Sequence, residues 1–316
     1  MKFLMQVLAC AALAMGLSGC SDSTPVRQEA SIIDPALTSA VALQEAQEAS
    51  LTAWSRDAKA EIKAAELLTR SAIATSHGDS QEAQNLIDLA EAQKENAWSR
   101  DSKAKIGAAA QLARAEISCR KESFDAARAF VSAAEAHRAS AWSRDAKAHI
   151  EAACALAKAN IARLEGTDSA KHFAQSEAAA ANAWGSDGKA QILAAAKRGR
   201  ALSAFYAGNQ AAALTRVSEA MNANASAWGS DAKSEIKAAA SLCQTEILSG
   251  QLTKPAASIL YDTALHMRDG AWGSDSKAKV TAAAFLSRAR LIETLPAGTL
   301  AASEFLLLFS SIDDDD

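Results

Sequence analysis

Residues that break helices are scarce in this 316-residue chain, with 4 prolines and 14 glycines. Alanine, leucine, glutamate and lysine dominate what is left, which is the composition of an all-helical protein. Positive charge is not in excess either. The 33 Lys and Arg against 37 Asp and Glu give a net charge of −4, spread without basic clusters, so no nucleic acid partner is expected. Of the five cysteines, Cys119, Cys154 and Cys243 lie beyond the N-terminal segment, at unrelated positions and with no CxxC pair. They allow at most one disulfide with one thiol left over, and read as small buried apolar residues. The five histidines (His77, His137, His149, His172, His266) form no HExxH, and GxSxG and P-loop motifs are missing. No metal, no cofactor and no catalytic residue is therefore expected, and the chain reads as a non-enzyme.

Aromatic residues make up only 5% of the chain, yet six of them are tryptophans. Trp54, Trp98, Trp142, Trp184, Trp228 and Trp272 follow one another at intervals of 44, 44, 42, 44 and 44 residues, which is the mark of a repeat array. Aligned on tryptophan, the copies read AWSRDAKAEIKAA, AWSRDSKAKIGAA, AWSRDAKAHIEAA, AWGSDGKAQILAA, AWGSDAKSEIKAA and AWGSDSKAKVTAA. The fixed aspartate (Asp57, Asp101, Asp145, Asp187, Asp231, Asp275) stands where a helix N-cap is wanted. After it, Ile62, Ala65, Leu68 and Ala72, and again Ile106, Ala109, Leu112 and Ala115, recur at the spacing of one buried helical face. Arg198 breaks that pattern in the fourth copy. Gly185, Gly229 and Gly273 follow the tryptophan where the previous helix must stop, a place suited to a left-handed residue. Tryptophan is thus read as the last residue of one helix. A second break in each unit, such as "SHGDS" near 76 or "EGTDS" near 165, makes one repeat two antiparallel helices joined by a loop.

Two rows of the repeat are candidates for function. A residue fixed in every unit usually serves what every unit shares, so the tryptophans are expected to be buried plugs between hairpins, packed over the small residues eight positions earlier (Ala46, Ala90, Ala134, Ser176, Ala220, Ala264). The alternative is an exposed ladder for sugar or peptide stacking. Lys59, Lys103, Lys147, Lys189, Lys233 and Lys277 follow each aspartate in the first helical turn, where a cation opposes the helix dipole at about 0.3–1 kcal/mol. The expected offset is an ion pair with an acid late in the preceding helix (Glu45, Glu91, Glu135, Glu177, Glu219, Asp262). The sharper alternative is a row of candidate partner-binding ammonium groups facing an anionic protein or polysaccharide.

The ends carry further information. "MKFLMQVLACAALAMGLSGC" has one Lys, an apolar stretch from Phe3 to Leu17 too short to span a bilayer, and small residues before a cysteine. It resembles a bacterial lipoprotein signal peptide. The resemblance implies cleavage after residue 19, acylation of Cys20 and, with Ser21 following, a lipid-anchored place on the periplasmic face of the outer membrane. Residues 20–33 read as a polar tether, 34–312 as the helical-repeat domain and 313–316 as an acidic tail. The helix-loop-helix stretches "AKANIARLEGTDSAKHFAQSEAAAANA" and "AKRGRALSAFYAGNQAAALTRVSEAMNANA" are similar to tetratricopeptide units in architecture, at a longer period and with the tryptophan at a different place. "PALTSAVALQEAQEASLTAW" reads as a helix without its partner. "EFLLLFSSI" sets Phe305, Leu306, Leu307, Leu308 and Phe309 in a row, so no single helical face can bury them all, and it is read as a partner-docking end.

The expected fold is an all-α solenoid of six helical hairpins plus an N-terminal helix, thirteen helices in all. A closed (α/α)6 toroid is the alternative. The expected function is a membrane-anchored periplasmic scaffold for protein partners in envelope assembly, secretion or polysaccharide export. A glycan- or peptidoglycan-binding module, or a glycan-processing (α/α)6 enzyme with inward carboxylates, stands behind it.

Overall fold

The computed structural model describes residues 38–249, 261–293 and 302–308. The signal segment, Cys20, the tether, Phe309 and the acidic tail lie outside these. The described residues are helical with short turns. In chain order the helices are α1 (Ser39–Thr52), α2 (Arg56–Ser76), α3 (Ser80–Ala92), α4 (Arg100–Arg120), α5 (Phe124–Ala136), α6 (Arg144–Leu164) and α7 (Ala170–Ala179). Then come α8 (Ser186–Tyr206), α9 (Gln210–Asn222), α10 (Ser230–Ser249), α11 (residues 261–266), α12 (Ser274–Ile292) and α13 (Ala302–Leu308).

Even-numbered helices α2 to α12 form an inner layer, each packed on its even-numbered neighbours. Their apolar stripe is the expected one, with Ile62, Ala65, Ile106, Ala109, Ile150 and Ile192 at 2% exposure or less. Helices α3, α5, α7 and α9 lie outside, each in a hairpin against the inner helix before it. The loop from inner to outer helix turns through a left-handed residue. Gly78, Gly166 and Gly208 have φ of +83°, +70° and +80°, and Glu122 takes the same place at 56°. Small residues eight positions before each tryptophan are buried, Ala46, Ala134, Ser176, Ala220 and Ala264 completely, so outer helices approach the inner layer closely.

The N-terminal helix does lack a partner next to it in sequence; its partner is the last inner helix. α1 packs along α12, and α12 also packs on α2. At one end of this seam the Asp275 carboxylate accepts from the backbone N–H groups of Trp54 (2.5 Å) and Ser55 (3.0 Å). At the other, Ser39 Oγ donates to Glu293 Oε1 (2.5 Å), and His77 Nε2 lies 3.0 Å from Glu293 Oε2. The first and last hairpins are thus in contact.

The C-terminal helix is where the sequence reading needs correction. α13 touches α2, α4, α10 and α12, four inner helices that only a helix inside the bore can reach together. Phe305, Leu306 and Leu307 are fully buried and Glu304 nearly so. The run is not an exposed docking end; it is apolar on every side because it is surrounded on every side. Leu308 closes the same helix. Arg198 faces this plug, its Nη2 lying 2.5 Å from Glu304 Oε2. The break in the repeat pattern is the counter-charge of the plug.

A tryptophan-bearing end as the candidate functional site

Each outer helix gives way to its following inner helix through a short turn built alike in all six repeats. An alanine takes an extended conformation, for example Ala53 at φ −65°, ψ 145° and Ala227 at φ −77°, ψ 147°. Successive side chains in extended backbone point to opposite sides. Ala53, Ala97, Ala141, Ala183, Ala227 and Ala271 therefore point into the core, at 4% exposure or less, and the tryptophans point out. Trp54, Trp98, Trp142, Trp184, Trp228 and Trp272 are 70–91% exposed. The expectation of buried plugs is overturned, and so is the placing of tryptophan as a last helical residue: the helix has already ended, and the alanine before the ring does the plugging.

What joins neighbouring repeats is the aspartate, acting across the junction. Helices α2, α4 and α6 are capped by Ser55, Ser99 and Ser143, whose hydroxyls accept from Ala58, Ser102 and Ala146 N–H. Gly185 and Gly273 stand at the same point with ordinary negative φ, −70° and −72°, so no left-handed stop is made there. The aspartate is the second residue of its helix and not the N-cap. Its carboxylate accepts from the tryptophan N–H of the next repeat. Asp101, Asp145, Asp187 and Asp231 reach Trp142, Trp184, Trp228 and Trp272 at 2.5 Å, and Asp57 reaches Trp98. The following amide donates to the same carboxylate, Gly229 to Asp187 at 3.0 Å for instance. Charge-assisted bonds to two otherwise free amides are among the strong hydrogen bonds of proteins. Because each link ties the start of one inner helix to the start of the next, all six turns lie at the same end.

Cations share that end. Arg56, Arg100 and Arg144, the first residues of α2, α4 and α6, are exposed, as are Lys59, Lys103, Lys189 and Lys277, while Lys147 and Lys233 are half-buried. The expected ion pairs of the lysine row are not made with the described residues. Its supposed partners are engaged elsewhere: Glu91 with Arg114 (2.9 Å), Glu135 with Lys158 (2.6 Å) and Glu177 with Arg200 (2.9 Å). The reason is reach: these acids lie beside the middle of the next inner helix, not its first turn. Glu219 pairs with Arg216 on its own helix.

A second polar set was missed in the sequence. Four residues after each aspartate stand Glu61, Lys105, His149, Gln191, Glu235 and Lys279, each 5% exposed or less. Glu61 lies 3.4 Å from Lys105 Nζ and 2.6 Å from Lys279 Nζ, and accepts from Ser102 Oγ at 2.7 Å. Glu235 accepts from Gln191 Nε2 (2.7 Å) and Ser276 Oγ (2.8 Å). Burial works against ionising Glu61, but the two ammonium groups outweigh it and hold its pKa down at about 2. Burial dominates at Glu235, pushed up to about 7, and at His149, pushed down to about 3. Such a split between two carboxylates suits acid-base chemistry; both Glu61 and Glu235 are buried. The signal was present: within the core phase, this position is polar in every copy.

Cys119, Cys154 and Cys243 are buried free thiols. Burial raises all three pKa values, that of Cys119 to about 11, so they are unreactive core residues. In comparisons with known proteins, no family model, no curated sequence and no solved structure matches the chain.

Proposed function

We propose that this protein is a non-enzymatic docking scaffold of the cell envelope, lipid-anchored through Cys20 at the periplasmic face of the outer membrane, which meets its partners with the tryptophan-bearing end. One observation carries the reading. Six large aromatic side chains are held out into solvent at one end of the molecule. Nothing in the packing requires indole there, since the backbone amide makes the junction and any residue but proline supplies one. Exposed apolar groups set among polar ones mark interaction sites. The charged set in the bore supports structure over catalysis, because it is buried, with Glu61 held between Lys105 and Lys279 and Glu235 bonded to Gln191 and Ser276.

The test is co-sedimentation of the Cys20→Ala chain with isolated envelopes, for the parent and for Trp98→Ala/Trp184→Ala/Trp272→Ala. The triple variant is expected to keep its melting temperature and remain in the supernatant. Equal sedimentation of the two proteins would refute a working role for this end.

A further inference from the structure

We infer that the surface met by this end is an anionic lipid bilayer, with the six indoles at headgroup depth and the neighbouring cations on lipid phosphates. The inference rests on the docking reading above and names its occupant.

Geometry favours a plane. The six turns are built alike and tied start to start around a joined array, so they present equivalent groups at one level. A linear glycan or a peptide crossing such an end would meet two or three of them. A bilayer meets all six at once.

Chemistry favours an interface with negative charge. Tryptophan is the residue of membrane-water boundaries, with an apolar body and one N–H for the headgroup layer. Each ring is followed five residues later by a lysine, and on half of the repeats two residues later by an exposed arginine. These cations make no ion pair with the described residues, whereas the flank balances its own charges through pairs such as Lys158 with Glu135. The aspartates between them are committed to backbone amides, with their oxygens turned toward the next repeat. Against the cations stand two exposed acids of the turns leading into the tryptophans, Glu95 and Asp269. Lysines and arginines near an anionic leaflet add attraction that reaches over a Debye length.

The chain reports on its own docking, because it has no tryptophan outside this end. The full chain is mixed with vesicles of phosphatidylglycerol and phosphatidylethanolamine with brominated acyl chains, and its emission is followed. Blue-shifted emission, strongly quenched by the bromines, is expected, with loss of both in about 0.5 M NaCl as the charges are screened. Arg56→Glu/Arg100→Glu/Arg144→Glu places acids at helix N-termini, where they suit the dipole and preserve the fold. This variant should bind the vesicles at least about tenfold more weakly at an unchanged melting temperature. Unquenched emission on brominated vesicles, together with protection from iodide by peptidoglycan fragments or by a proteinaceous envelope fraction, overturns the lipid inference and leaves the docking reading standing. Free access of iodide in the presence of vesicles and whole envelopes alike overturns both.

Discussion

Replacing Arg198 by leucine should cost about 3 kcal/mol, and replacing Glu304 by methionine about 4–5 kcal/mol, yet the two together should cost about 1 kcal/mol or less. The pair spans 2.5 Å, with side-chain exposures of 3% and 10%, between an inner helix and the plug that fills the bore. Removing one member strands the other charge out of water, which dominates the cost. The carboxylate is the better placed of the two to be left alone, since Arg290 still acts on it electrostatically from α12. For the double variant the repeat itself supplies the expectation. At the position of Arg198 the other inner helices carry Leu68, Leu112, Leu156, Leu242 and Leu286, so a sixth leucine completes an apolar layer already built for that shape. Urea unfolding followed by far-ultraviolet circular dichroism provides the four corners of the cycle. Tryptophan emission would serve poorly, because rings already in water change little on unfolding. A coupling energy under about 1 kcal/mol, or a double variant that loses the sum of the single losses, would show that the ion pair does not hold the plug.

The bore should give two opposed pH profiles between pH 5 and 7. His149, held neutral in the fold with its pKa near 3, favours the folded chain more as pH rises, because the unfolded chain binds the proton first; Glu235, pushed up to about 7, does the reverse. His149→Gln should thus be more stable at pH 5 than at pH 7, and Glu235→Gln more stable at pH 7 than at pH 5, each by about 2 kcal/mol in urea midpoints. Asp231→Ala, which frees the Trp272 and Gly273 amides, should cost about 2–4 kcal/mol in chemical unfolding. Trp272→Ala beside it should cost under about 1 kcal/mol, because little of the ring is buried. Glu122→Gly should raise stability by about 1 kcal/mol in the same assay, since φ of 56° is strained for a side chain and free for glycine.

The period, the two helices per unit and the inner apolar stripe could all be read from the sequence, because a buried helical face imposes its spacing locally. Direction was harder to read. Invariance says that Trp142 matters, not which way it points; a single extended residue, Ala141, sends the alanine inward and the indole outward. In sequence Asp101 belongs to its own helix, because a first-turn carboxylate usually caps nearby amides. Its partner lies 41 residues on in Trp142, and only the packing of neighbouring repeats brings the two together. The apolar run Phe305 to Leu307 reads in sequence as a docking end because no single helical face can bury it; its covering comes from α2, α4, α10 and α12, distant in sequence. The tryptophan-bearing end is legible as residues and not as a surface: the sequence marks both rows, and only the fold shows their exposure.

Because α1 completes the hairpin of α12, this array shows no terminal unit among the described residues. An open stack of hairpins gains or loses copies with little penalty, since each new unit sees only its neighbours. Here a seventh unit would have to part α1 from α12 and widen the bore, stripping α13 of the walls that cover Phe305, Leu306 and Leu307. Duplication of a repeat, the ordinary route by which such genes vary, is thereby closed to this fold. Its copy number is set by the girth of one short helix.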